Sequence, residues 1–127
     1  MLIVKDEIHI ILPIRPATKK NNGRIVFKGK RPILLPSKKY IEFRDSAGYF
    51  INNKYLNIDY PVNLKCLIYI EKNYASDLSN YIEAIQDMLV YYKVLKDDNH
   101  KIVESLDGSR VFVDRKRPRV EIIITKI

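Results

Sequence analysis

The stretch S-D-L-S-N-Y-I-E-A-I-Q-D-M-L-V-Y-Y-K-V-L-K-D-D-N-H, Ser76 to His100, decides how this chain is read. At about 100° per residue, Leu78, Ile82, Ile85 and Leu89 fall on one stripe, with Tyr81 and Met88 beside it, which predicts an amphipathic helix with that side in the core. Ser79, Glu83 and Gln86 occupy or border the opposite side, with Ser79 and Glu83 one turn apart. Asp77 stands at the helix start, where free amides favour a carboxylate, and Asp97 and Asp98 follow the helix end.

Working outward, Val62 to Glu71 reads as a strand leading into this helix. Lys101 to Ser105 reads as a strand after it, Leu106 to Ser109 as a turn, and Arg110 to Val113 as the return. Arg119 to Lys126 is apolar enough for a central or well-covered strand. Upstream, residues 2 to 12 form an Ile-rich first strand, buried on both faces or nearly so. Residues 18 to 24 are a loop by composition. Ile25 to Phe27 and Ile33 to Leu35 bracket a short hairpin, and Ser37 caps a helix on which Tyr40, Phe43, Ala47 and Phe50 recur. The expected architecture is a single α+β domain over residues 1 to 127, with a mixed sheet and two main helices.

The formal charge is +8, and its placement matters more than its sum. Lys19 to Lys39 carries eight basic residues (Lys19, Lys20, Arg24, Lys28, Lys30, Arg31, Lys38 and Lys39) and no acid. A second cluster is Arg110, Arg115, Lys116, Arg117 and Arg119, opposed only by Asp114, whereas residues 42 to 109 hold seven basic and eleven acidic side chains. Such segregation suits a polyanion bound by Lys and Arg and a divalent cation held by carboxylates. A merely solvated basic surface is the plain alternative. Cys66, the only cysteine, excludes an internal disulfide and fits a reducing, intracellular setting. The apolar N-terminus is interrupted by acids and reads as a strand, not a signal peptide, and no run reaches membrane-span length. His9 and His100 lack ligand-type spacing, so zinc is not expected.

The pattern D-L-x-N-x-x-x-A-x-x-D-x-L, followed by the D-D pair, resembles the RusA family of Holliday junction resolvases common in prophages. T-K-K-N-N-G-R, P-S-K-K-Y and P-R-V-E-I-I-I also look like its phage members, so the resemblance spans nearly the whole chain. It implies a small α+β homodimer in the cytoplasm of a bacterial or phage-infected cell. Its implied substrate is branched double-stranded DNA, bound as four-way junctions in recombination and repair and cut with Mg²⁺ or Mn²⁺. Carried over, it puts catalytic, metal-holding carboxylates on Asp77 and Asp98; Asn80 and the helix acid Asp87 also match, and Asp97 is the neighbour in the pair. Lys19, Lys20, Asn21, Asn22, Arg24, Lys38, Lys39, Arg115, Lys116 and Arg117 are the candidate DNA contacts.

Two positions depart from the family pattern. Ser79 stands where its second catalytic carboxylate is expected, and Glu83 where a Lys is expected one turn later. Glu83 could reach the cation from that next turn and complete a three-carboxylate site with Asp77 and Asp98. Alternatively the chain is a catalytically inactive relative that binds branched DNA, or a phage nucleic-acid-binding regulator. A protein-binding module with incidental charge is a third reading.

Overall fold

A computed structural model describes residues 7–18, 24–73 and 75–127, with Arg24 placed by its backbone alone. Its elements are β1 (Glu7–Leu12), β2 (Arg24–Lys28), β3 (Arg31–Leu35), α1 (Lys38–Ala47), β4 (Val62–Ile70), α2 (Leu78–Tyr91), β5 (Val103–Ser105), β6 (Arg110–Val113) and β7 (Arg119–Lys126). This is the expected small α+β domain with a mixed sheet and two helices. Among the described residues, no helix is long and apolar enough to cross a membrane.

The sheet centres on β7 and β4. β7 pairs antiparallel with β1 on one side and with β4 on the other, so the apolar run Val120, Ile122 and Ile124 is central, as its composition predicted. β4 alternates strictly: Val62, Leu64, Cys66, Ile68 and Ile70 are buried, and the residues between them are half-buried. The buried face joins Phe43 and Ala47 of α1 and Ile82, Ile85, Met88 and Leu89 of α2 in one core, so both helices lie on the same side. Desolvation inside that core pushes the Cys66 thiol up to about 12.

Three expectations change. Leu78 belongs to the predicted core stripe but is 36% exposed, because it opens the helix where the chain leaves the sheet. β1 is not covered on both faces: it lies at the sheet end, so His9 is exposed and Ile11 is 56% exposed. Phe50 lies beyond α1, which ends at Ala47 with Gly48 as cap, and is also partly exposed. The two β1 and Phe50 findings share a cause, since neither a short strand nor a recurring aromatic says which side receives a covering layer.

The chain after α2 corrects a further point. β5 and β6 do not form a hairpin; both run parallel to β4, one after the other along the same edge. Side chains hold the interval between them. Asn63 Oδ1 accepts from Ser105 Oγ and from the Asp107 amide, and its Nδ2 donates to the Asp107 carbonyl at 3.1 Å. Ser109 Oγ accepts from the Cys66 amide at 3.0 Å and donates to the Leu64 carbonyl, so β4 keeps its hydrogen bonds where no strand faces it. Gly108, at φ 87°, permits this jog; an added Cβ would meet the Lys65 stem at 2.6 Å.

β2 and β3 form a separate two-stranded ribbon, the hairpin expected from sequence, and pair with no strand of the main sheet. It leads through Pro36 into α1, where Ser37 accepts from the Tyr40 amide at 3.2 Å as the predicted N-cap.

Candidate functional site

The first turn of α1 stands between a cleft of mixed charge and the carboxylate of Asp87. The last turn of α1 meets the end of α2, where the Arg44 guanidinium lies 4.3 Å over the Tyr91 ring and the Tyr92 hydroxyl donates to the Arg44 carbonyl at 2.6 Å. One turn earlier, burial and then the charge of Asp87 raise the Tyr40 phenol to about 12. Asp87 thus faces Tyr40 from α2.

The acidic pair joins Asp87 because the segment after α2 folds back. Val94 and Leu95 are fully buried, and Lys96 donates to the Ile58 carbonyl at 3.0 Å, which fixes the chain just before Asp97. The Asp97 carboxylate accepts from the Asp98 amide at 2.7 Å and from Asn99 Nδ2 at 3.1 Å, and the first of these holds its pKa below the ordinary value. Asp98 goes the other way. Partial desolvation, a hydrogen bond with Asp97 and the charges of Asp87 and Asp97 raise its pKa. Asp98 thus lies within reach of the charges of both Asp97 and Asp87.

Asp77 is elsewhere. It is the N-cap of α2, ten residues before Asp87, a rise of about 15 Å along the helix. Its Oδ2 accepts from Asn80 Nδ2 at 3.3 Å and its carbonyl from the Asn80 amide at 3.1 Å, so Asn80 organises the helix entry. Ser79 and Glu83 are exposed on α2, and Glu83 is one turn before Asp87. Among the described residues, no group of three or more His, Cys, Asp or Glu side chains is placed to hold a metal ion. Asp77, Glu83 and Asp98 do not form the three-carboxylate set that the spacing allowed. The carboxylates that sense each other's charge from separate elements are Asp98 and Asp87. One or two carboxylates beside a substrate phosphate are what Mg²⁺ ordinarily needs.

On the other side of α1's first turn is an open cleft of about 510 Å³. Arg15, Lys39, Glu42, Glu71 and Pro118 line it, and Arg15 pairs with Glu71 at 3.1 Å. Pro118 follows the exposed turn of Arg115, Lys116 and Arg117, whose amides at Lys116 and Arg117 both donate to Asp114 at 3.1 Å. Lys39, at the end of the first basic arm, lines this concavity, and the second basic run reaches it through Pro118. Lys19, Lys20, Asn21 and Asn22 lie outside the described residues, as does the side chain of Arg24.

Sequence reading missed Arg15 and Glu71 at the cleft, and Tyr40 between cleft and acids. The i, i+4 series Ser79, Glu83, Asp87 was the available signal for where the acidic stripe leads. Nothing in the sequence signalled the cross-strand stack on the other sheet face. There Arg119 lies 3.7 Å over Tyr69, Tyr69 stacks on Phe112 at 4.8 Å, and Arg110 lies 5.3 Å over Phe112. Arg119 is pinned by Glu121 at 2.7 Å and Asp114 at 2.9 Å, so it is a structural cation. No protein-family model and no curated protein sequence matches the chain.

Proposed function

We propose that this protein binds branched double-stranded DNA and cuts it with Mg²⁺ or Mn²⁺, as a resolvase of four-way junctions. The supporting observation is that Lys39 of the first basic segment and Pro118, next to the Arg115–Arg117 turn, line one cleft beside α1, while the charge of Asp87 reaches both Tyr40 in the same helix turn and Asp98. Lys38, Lys39, Arg115, Lys116 and Arg117 hold backbone phosphates, and the backbone of a branched duplex is drawn towards the acidic side. Asp98 and Asp87 are the chain's own ligands for the ion. When bound there, the ion would polarise the scissile phosphate and lower the pKa of a water. Because the Asp98 pKa is raised, that carboxylate is readied for metal only once it has lost its proton, so ion binding strengthens with pH through the acidic range.

A second reading, binding without cutting, is favoured by the small donor set and by Asp77 standing about 15 Å along α2 from Asp87. One experiment separates the two. A synthetic four-way junction and a matched linear duplex are incubated with native protein and Mg²⁺ or Mn²⁺, alongside Asp98→Asn, Asp87→Asn, Asp77→Asn and Glu83→Gln. Junction-selective cleavage lost in Asp98→Asn supports the enzyme. Tight junction binding with no cleavage in either metal leaves the binding reading, and equal weak affinity for junction and duplex ends both.

A further inference from the structure

The β2–β3 ribbon sorts its side chains by face. Its register pairs Ile25 with Leu34 and Phe27 with Pro32, which puts these four on one face, and Lys28 with Arg31 and Val26 with Ile33 on the other. The first face is wholly apolar and uncovered by any described residue: Ile25 is 65%, Phe27 70% and Leu34 72% exposed, and Pro32 is exposed too. An isolated two-stranded ribbon gains little by itself in water, so a bare apolar face on one calls for an occupant. Phe27 and Pro32 form the last pair but one before the turn at Gly29 and Lys30.

Charge and area select that occupant. Lys28, Lys30 and Arg31 surround the ribbon's end, and no acid lies between Lys19 and Lys39. Pressing two copies of this arm together would bury on the order of 400–500 Å² per chain, short of the ~800 Å² per partner of a stable interface. It would also bring like charges together. A polyanion with accessible apolar interior answers both features, since apolar side chains on basic arms enter between bases and the surrounding cations take the flanking phosphates. Such insertion is cheapest where bases are already poorly stacked, which in a branched duplex is the branch point.

We infer that the β2–β3 ribbon is a wedge, whose Phe27 and Leu34 insert among the bases at the branch point while Lys28, Lys30 and Arg31 hold the adjoining phosphates. The inference rests on the branched-DNA reading and adds the residues that would read the branch itself. Ribbon and cleft are joined through Pro36 and the α1 cap, so the wedge would also fix where the duplex arms meet Lys38 and Lys39.

The test uses a four-way junction carrying 2-aminopurine next to the branch point, without divalent metal, and the full chain. Native protein raises the 2-aminopurine emission several-fold at saturation, and does so far less on linear duplex. Phe27→Ala and Leu34→Ala lose most of that rise and bind about tenfold more weakly, whereas Phe27→Leu keeps it. Unchanged circular dichroism and melting in these variants shows that the rest of the fold is intact. Junction binding without an emission rise, or a rise that survives Phe27→Ala, overturns the wedge and leaves the branched-DNA reading standing. Failure of native protein to prefer the junction at low salt overturns both. A dimer that Phe27→Ala converts to monomer, with the emission rise intact, shows the face to be a self-contact and overturns the wedge.

Discussion

Salt dependence tests the proposed phosphate contacts most directly. Arg15, Arg44 and Arg119 are committed to Glu71, Asp45, and Asp114 with Glu121, at 3.1, 3.1 and 2.7–2.9 Å. The described cations left facing the proposed DNA path are Lys28, Lys30, Arg31, Lys38, Lys39, Arg115, Lys116 and Arg117. Their spread over a ribbon, a helix start and a turn means that a duplex arm meets about five at once, which gives a slope of log K against log salt of about −4.5. Between 50 and 200 mM salt the affinity should then fall about 500-fold. Replacing Lys38 and Lys39 together by Ala should remove close to two phosphate contacts, cut the slope to about −2.7, and reduce the same fall to about 40-fold. Fluorescence anisotropy of a labelled four-way junction across that range measures both quantities. A native slope shallower than about −1, or a double variant with native slope and affinity, would refute phosphate binding along this path.

Other outcomes follow from particular contacts. Asp98→Asn should lower metal-dependent junction cleavage by at least about 100-fold while junction binding holds or tightens, since a repelling charge leaves and a ligand is lost; gel assays with and without Mn²⁺ read both. The same variant should melt higher than native at pH 7. The raised Asp98 pKa means that its ionised form opposes folding and that stability is gained as pH falls through that pKa, so the difference should vanish near pH 3. Gly48→Ala should destabilise by about 1–2 kcal/mol in urea unfolding, because the new Cβ would lie 2.5 Å from the Tyr92 hydroxyl and displace its bond to Arg44. Met88→Ala, at a fully buried site, should cost about 2–5 kcal/mol in the same assay.

The helices were legible because their information is local. Ser37 announced α1, and the spacing of Ile82, Ile85 and Leu89 announced the buried side of α2. The central place of β7 was also readable, since its run of Val and Ile suits a strand with neighbours on both edges. β5 and β6 were not, because their direction is set by Asn63 and Ser109 reaching across from or to a strand some forty residues away in sequence. The candidate site divides the same way. Residue types and charge segregation showed in the sequence. Which acids meet did not, because it depends on Leu95 anchoring the return of the chain after α2, and that brings Asp98 to Asp87 instead of to Asp77.

The burial of Cys66 has a practical side. With its thiol pushed up to about 12, it is thiolate at only about one part in 10⁴ at pH 8, and it lies within the sheet away from solvent. The native chain therefore behaves towards maleimides as if it had no cysteine. A single Cys placed on the exposed ribbon or in the Arg115–Arg117 turn would take up a fluorophore or spin label by itself, and distances to a junction could be measured on an otherwise unaltered protein.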